Sequence, residues 1–142
     1  MAYVHNWLHC VWGTKYRTPL LNGSLKDPVI EHIRENAKEK GIIIDMINGY
    51  RDHIHCLIRL RPDQTLAWAI QHIKGESSYW INKEGLTKRK FKWAVQYFAV
   101  SVGEKDIPVV RRYIKDQEKH HKIKSWEEEY NKLLEQYGLH GS

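Results

Sequence analysis

Two residue pairs in this chain have the type and spacing to do chemistry. His53 and His55 flank one residue, and Tyr113 and Gln117 stand four apart. Side chains alternate along a strand, so His-x-His puts two imidazoles on one face. Residues i and i+4 are neighbours on a helix, so Tyr-x-x-x-Gln puts a phenol beside an amide. Two imidazoles and an amide oxygen are ligands for a divalent ion, and a phenol is a nucleophile. Brought together, the two faces carry the minimal equipment for breaking a phosphodiester through a covalent phosphotyrosine.

Each half has a plainer reading. An isolated His-x-His more often marks ordinary surface or core histidines than a metal site. The flanks argue for the site: CLIRL after His55 is apolar at alternate positions, so a buried strand face should lie apart from the histidine face. Asp52, just before His53, could orient an imidazole by accepting a hydrogen bond. Tyr113 is one of eight tyrosines and could be a packing residue. Its surroundings, VVRRYIKDQEKHHK, are strongly polar, and Arg111, Arg112 and Lys115 should favour phenolate and attract a phosphate. Gln117 alone reads as a solvated helix residue. His120 and His121, one turn on, suit a structural or DNA-contacting role.

The elements that must position these groups follow from pattern. Residues 3–12 are aromatic and β-rich and read as a strand, and Pro19, Asn22 and Gly23 mark a turn. A helix over 26–40 stops at Gly41. Strands over 42–48 and 53–60, with a short hinge between them, form an antiparallel hairpin. A second helix covers 65–81, where Leu66, Ile70, Ile73 and Trp80 lie near helical spacing. A fourth strand covers 93–102 and a third helix 106–121. A last helix over 125–137 opens at Ser125, with Glu127 to Glu129 complementing its dipole. The order is β-α-β-β-α-β plus two C-terminal helices. That predicts an α+β, ferredoxin-like antiparallel sheet with helices on one face.

Composition sets the outer bounds. The chain has 142 residues, 42% of them hydrophobic, which predicts a single domain over 1–142 with its own core. Lys and Arg number 23 against 17 Asp and Glu, a net charge of +6 that favours a polyanionic partner. Cys10 and Cys56 lie in apolar strands and read as buried free thiols in a reducing, cytoplasmic setting. No apolar run approaches the roughly 20 residues of a membrane span, so no membrane association is expected. The 83–92 stretch holds Lys83, Lys88, Arg89, Lys90 and Lys92. With Trp80 and Trp93 on its flanks, it mixes cations and rings in the way that suits single-stranded nucleic acid.

Through these residues the chain resembles the single-tyrosine HUH transposases of the smallest bacterial insertion sequences and their repeat-associated relatives. The resemblance runs through nearly the whole length, in VWGTKYRTPLL, DHIHCLIRL, IKGESSYWIN, WAVQYFAVSV and RRYIKDQEKHH. Cys56 departs from the bulkier aliphatic common in that family, a difference of packing only. The resemblance implies that His53, His55 and Gln117 hold Mg²⁺ or Mn²⁺ and that Tyr113 forms a 5′-phosphotyrosine. Lys83, Lys88, Arg89, Lys90, Lys92, Arg111 and Arg112 would then contact DNA. It implies single-stranded DNA with a hairpin as substrate and no nucleotide cofactor. It further implies a homodimer in which the tyrosine helix of one subunit completes the histidine site of the other.

Three other classes compete. A ferredoxin-like sheet can be a non-catalytic RNA-binding module, but that fold needs an RNP-like aromatic strand, and none is present. A small metallohydrolase using His53 and His55 would leave Tyr113 and Gln117 without a role. A related nuclease that nicks replication or conjugative DNA usually has a longer chain.

Overall fold

The computed structural model describes residues 3–117 together with Glu128, Asn131, Lys132 and Glu135. Its strands are β1 (Asn6–Thr14), β2 (Ile43–Tyr50), β3 (His53–Leu60) and β4 (Trp93–Val102). Its helices are α1 (Lys26–Glu39), α2 (Leu66–Lys83) and α3 (Ile107–Lys115). The sheet order is β2-β3-β1-β4 and every neighbouring pair is antiparallel. With α1 crossing from β1 to β2 and α2 from β3 to β4, this is the ferredoxin-like arrangement expected from the sequence.

Alternation along the strands decides what each sheet face does. Cys10 and Trp12 of β1 and Ile54, Cys56 and Ile58 of β3 point to one face. There they meet Val29 and Ile33 of α1 and Ala69, Ile70 and Ile73 of α2. Those helix positions recur at three- and four-residue spacing, the stripe a helix needs to cover a sheet. Local signals set the helix limits. Thr65 Oγ1 accepts a hydrogen bond from the Trp68 N–H at the start of α2. Gly41, at φ 75°, ends α1 in the left-handed conformation that glycine adopts without strain.

The opposite face carries Trp7, His9 and Val11 of β1 and His53, His55 and Leu57 of β3. It is not open. Ile107, Val110 and Ile114 of α3 pack there against Trp7, Leu57 and Val102. Strand β3 is therefore buried on both faces, although the alternation in CLIRL had predicted only one. Each such buried apolar side chain contributes about 1.5–3 kcal/mol. That burial holds α3 down, and two polar ties set its azimuth. A bulge at Asp45 interrupts the β2–β3 ladder, and Arg111 bonds both Asp45 oxygens at 2.7 and 2.8 Å. At the C-terminal end of α3, Asn48 Nδ2 donates to the Lys115 carbonyl at 3.0 Å. Within the single chain the third helix thus covers its own sheet.

Boundaries differ modestly from expectation. β1 starts at Asn6 rather than residue 3, and Tyr3 is exposed. β2 runs on to Tyr50, which pairs with His53, so only Arg51 and Asp52 form the turn. The helix expected over 106–121 is described as far as Gln117. His120 and His121 lie outside the described residues, as does most of the predicted 125–137 helix. Glu128, Asn131, Lys132 and Glu135 are helical and exposed. Among the described residues, no helix is long and apolar enough to cross a membrane. Cys10 and Cys56 face each other across β1 and β3 as buried free thiols, and burial pushes the Cys10 thiol up to about 12.

Candidate active site

The β2–β3 turn and α3 bring the two residue pairs together. His53 opens β3 directly after the turn, and His55 follows on the same face. Their ring centroids are 5.2 Å apart. The Tyr113 ring lies over this face, 5.6 Å from His55 with the planes at 69°. Gln117, one helical turn beyond Tyr113, is fully buried and donates from Nε2 to the Tyr113 carbonyl at 3.1 Å. The phenol and both imidazoles therefore share one buried layer between the sheet and α3, and the amide is buried one turn further along the chain.

Both imidazoles are oriented through Nδ1. His53 Nδ1 donates to Asp52 Oδ1 at 2.7 Å, the role expected of that carboxylate. Asp52 is in turn 3.6 Å from the Arg17 guanidinium. His55 Nδ1 meets His9 Nε2 at 2.9 Å. Burial pulls the His9 imidazole down to about 4, so it is neutral near pH 7 and able to accept a proton bond. A histidine that donates through Nδ1 keeps its Nε2 lone pair for a ligand. The His9 pairing lets His55 adopt that tautomer, and the Asp52 bond does the same for His53.

His53 and His55, both oriented through Nδ1, could hold a divalent ion. Among the described residues, no group of three or more His, Cys, Asp and Glu side chains could hold a metal. Two imidazoles need completion by another oxygen. The Gln117 amide, water or phosphate could supply such oxygens. A mixed nitrogen–oxygen set of this kind suits Mn²⁺ or Mg²⁺.

Other expectations shift. The sequence predicts a positive surround for Tyr113 from Arg111, Arg112 and Lys115. All three lie exposed, away from the buried face of α3, and Arg111 pairs with Asp45. Tyr113 itself is only 8% exposed and packs against Val11 and Phe98. The amphipathic spacing of Ile107, Val110, Tyr113, Ile114 and Gln117 explains this, because it turns the flanking cations outward. Trp93 is a core residue that donates to Ser77 Oγ at 2.9 Å, and Trp80 stacks on His32. Neither offers a platform for bases. Lys88, Arg89, Lys90 and Lys92 gather on one groove, whereas Lys83 sits at the end of α2 near the Tyr79 ring.

Sequence reasoning missed His9, Asn48 and Arg17. His9 had a signal, since it lies two residues before Val11 in a strand whose alternate positions are apolar. A cleft of about 780 Å³ opens beside the histidine face, lined by Val11, Gly13, Thr14, Arg17, Gln96 and Phe98 among others. Val11 and Phe98 pack against Tyr113 on their other side, so they separate the cleft from the buried phenol.

Comparisons with known proteins bear on the family and the fold. The model of the IS200-like transposases matches residues 2–117. The ISDra2 transposase TnpA of Deinococcus radiodurans is 27% identical over 115 residues, which cover 77% of this chain and 81% of that protein. Two solved structures share the fold. A crystal structure of a transposase from Deinococcus radiodurans R1 superposes with a TM-score of 0.66 at 23% identity, covering 82% of this chain and 95% of that one. The REP-associated tyrosine transposase bound to a REP hairpin superposes with a TM-score of 0.64 at 17% identity, covering 86% of this chain and 72% of that one.

Proposed function

The chain belongs to the IS200-like transposase family, and from that premise we propose that it cleaves and rejoins single-stranded DNA at the hairpin-bearing ends of a mobile element. Tyr113 is the nucleophile. Its Oη attacks the scissile phosphorus, the P–O3′ bond breaks, and the protein is left joined to the 5′ phosphate. The phenol loses its proton and the departing 3′ oxygen takes one up. A free 3′-OH then attacks the phosphotyrosine, which restores the phenol and rejoins the strand. The bond energy stays in the covalent link, so no nucleotide cofactor is required.

His53, His55 and Gln117 would hold Mg²⁺ or Mn²⁺. When bound, such an ion polarises the phosphate and stabilises the leaving oxygen. The chain's own contribution is placement. Asp52 and His9 fix the imidazoles, Asn48 and the apolar face of α3 fix the tyrosine, and the buried layer excludes water. The observation that carries the reading is the 5.6 Å approach of the Tyr113 ring to His55 inside one chain, with Gln117 a turn away.

The working form is a homodimer in the cytoplasm, where its DNA is, with the tyrosine helix exchanged between subunits. Exchange would require α3 to leave its own sheet by pivoting at Gly103, just after β4. The same apolar face of α3 would then cover the partner's sheet.

The test uses single strands from either side of the gene. With Mn²⁺ or Mg²⁺ the protein should cleave one of them and form a covalent protein–DNA band on a denaturing gel. EDTA should abolish both products. His53→Ala and His55→Ala should also abolish them while retaining most DNA binding, because phosphate and base contacts lie elsewhere. Cleavage that survives EDTA would refute the metal assignment.

A further inference from the structure

We propose that a second cavity, beside the cleft bordered by Val11 and Arg17, binds the single-stranded DNA that continues from the reactive phosphate, with Tyr16 as the platform on which a base stacks. The proposal rests on reading Tyr113 and the histidine pair as a single-strand site. The groove lies between the 15–25 segment and the 86–92 loop and has a volume of about 990 Å³. Five cations, Lys15, Lys88, Arg89, Lys90 and Lys92, line it, and among the described residues no lining residue is acidic. That charge suits a phosphate backbone. Tyr16 supplies the ring: it is 87% exposed, with the Lys15 ammonium 5.2 Å from its centroid. An aromatic ring amid cations is how sequence-tolerant single-strand sites are built.

The backbone shows that Tyr16 is held outward at a cost. Tyr16 and Arg17 both take left-handed conformations, at φ 59° and 56°. Non-glycine residues persist there only when the surroundings overdetermine them. Here they do. Thr14 Oγ1 donates to the Thr18 carbonyl at 2.7 Å, the Lys15 N–H donates to the Lys92 carbonyl at 2.9 Å, and the Leu21 N–H donates to the Arg51 carbonyl at 2.8 Å. A residue with no packing role, kept in a strained turn, has its reason in what it presents.

The same turn joins the two cavities. Thr14 and Arg17 border the cleft beside Val11 and Gly13, and Lys15, Tyr16 and Thr18 border the groove. Arg17 also reaches Asp52, the carboxylate that orients His53. A strand with its phosphate near Tyr113 can pass over Arg17 directly into the groove.

Binding to a fluorescent oligothymidylate and to an abasic strand of equal length tests the proposal in the full-length protein. Tyr16→Ala should weaken oligothymidylate binding about tenfold, equivalent to about 1.4 kcal/mol, and leave the abasic strand unchanged. Tyr16→Phe should bind both like the wild type. Replacing Lys88, Arg89 and Lys90 with Ala should flatten the salt dependence on both probes, by about 0.7 in log–log slope per lost phosphate contact. Equal weakening on both probes by Tyr16→Ala, no weakening, or a defective Tyr16→Phe would overturn the stacking role. An unchanged salt slope would overturn the groove. If these variants match the wild type while the covalent adduct still forms, the groove falls and the active-site reading stands. If the wild type binds neither strand and forms no adduct, both fall.

Discussion

His9 shows how one residue can matter to a site without touching substrate. Its Nε2 is the partner of His55 Nδ1, and the pair is fully buried. Replacing it removes the acceptor that favours the Nδ1–H tautomer of His55. Loss of such an orienting partner typically costs 10- to 100-fold in metal affinity. We expect His9→Leu to weaken Mn²⁺ binding by about that factor in an electron paramagnetic resonance titration, with binding to single strands unchanged. Unaltered Mn²⁺ affinity would mean that His55 is oriented by something else. The ligand candidates were legible because His-x-His and Tyr-x-x-x-Gln declare their faces through period alone. For His9 the strand pattern shows the face but not the role, which depends on the register that sets Val11 opposite His55 across two strands far apart in sequence. The charge around Tyr113 was misread for a related reason. Neighbours in sequence are not neighbours on a helix, and Arg111 and Arg112 project away from the face that Tyr113 shares with Val110 and Ile114.

At the scale of elements, the β2–β3 hairpin and α3 set the site, and two glycines show how local context reverses one substitution. A Cβ on Gly49 would lie 2.4 Å from the His53 carbonyl oxygen and 2.8 Å from Ile54 Cδ1. Gly49→Ala must displace the start of β3 and should destabilise by about 1–3 kcal/mol, lowering the Tm and reducing adduct formation together. Gly75 lies within α2, where an added Cβ meets nothing within 4 Å. Gly75→Ala should raise stability by about 0.5–1 kcal/mol through helix propensity alone. Thermal melts of the two variants should shift in opposite directions, and a Gly49→Ala melt at or above wild type would contradict the close approach. The order and types of these elements were legible because the apolar spacing switches cleanly between two and three-to-four residues. Strand ends were less so. Gly49 and Tyr50 read as turn residues, yet pairing with Ile54 and His53 draws them into β2. The docking of α3 was also hidden, since a helix so rich in charge shows its apolar stripe only when Ile107, Val110 and Ile114 are projected onto one face.

At the scale of the molecule, the question is whether one chain or two complete the site. The single chain already lays Tyr113 against its own histidines, and exchange would rebuild the same contact with a partner. Mixing His53→Ala protein with Tyr113→Phe protein separates the two arrangements. Exchanged helices restore one intact site per mixed dimer and part of the activity, whereas self-contained sites leave every site defective. No recovery after confirmed subunit exchange would refute the shared site. Either outcome leaves the central claim, that Tyr113 is the nucleophile. That claim is tested most directly by trapping the adduct on a cleaved single strand, digesting it with nuclease and protease, and locating the remaining nucleotide by mass spectrometry. We predict a 5′-phosphonucleotide on the peptide that contains Tyr113, and no adduct from Tyr113→Phe protein that still binds the strand. A nucleotide on any other residue, or an adduct that survives Tyr113→Phe, would contradict it.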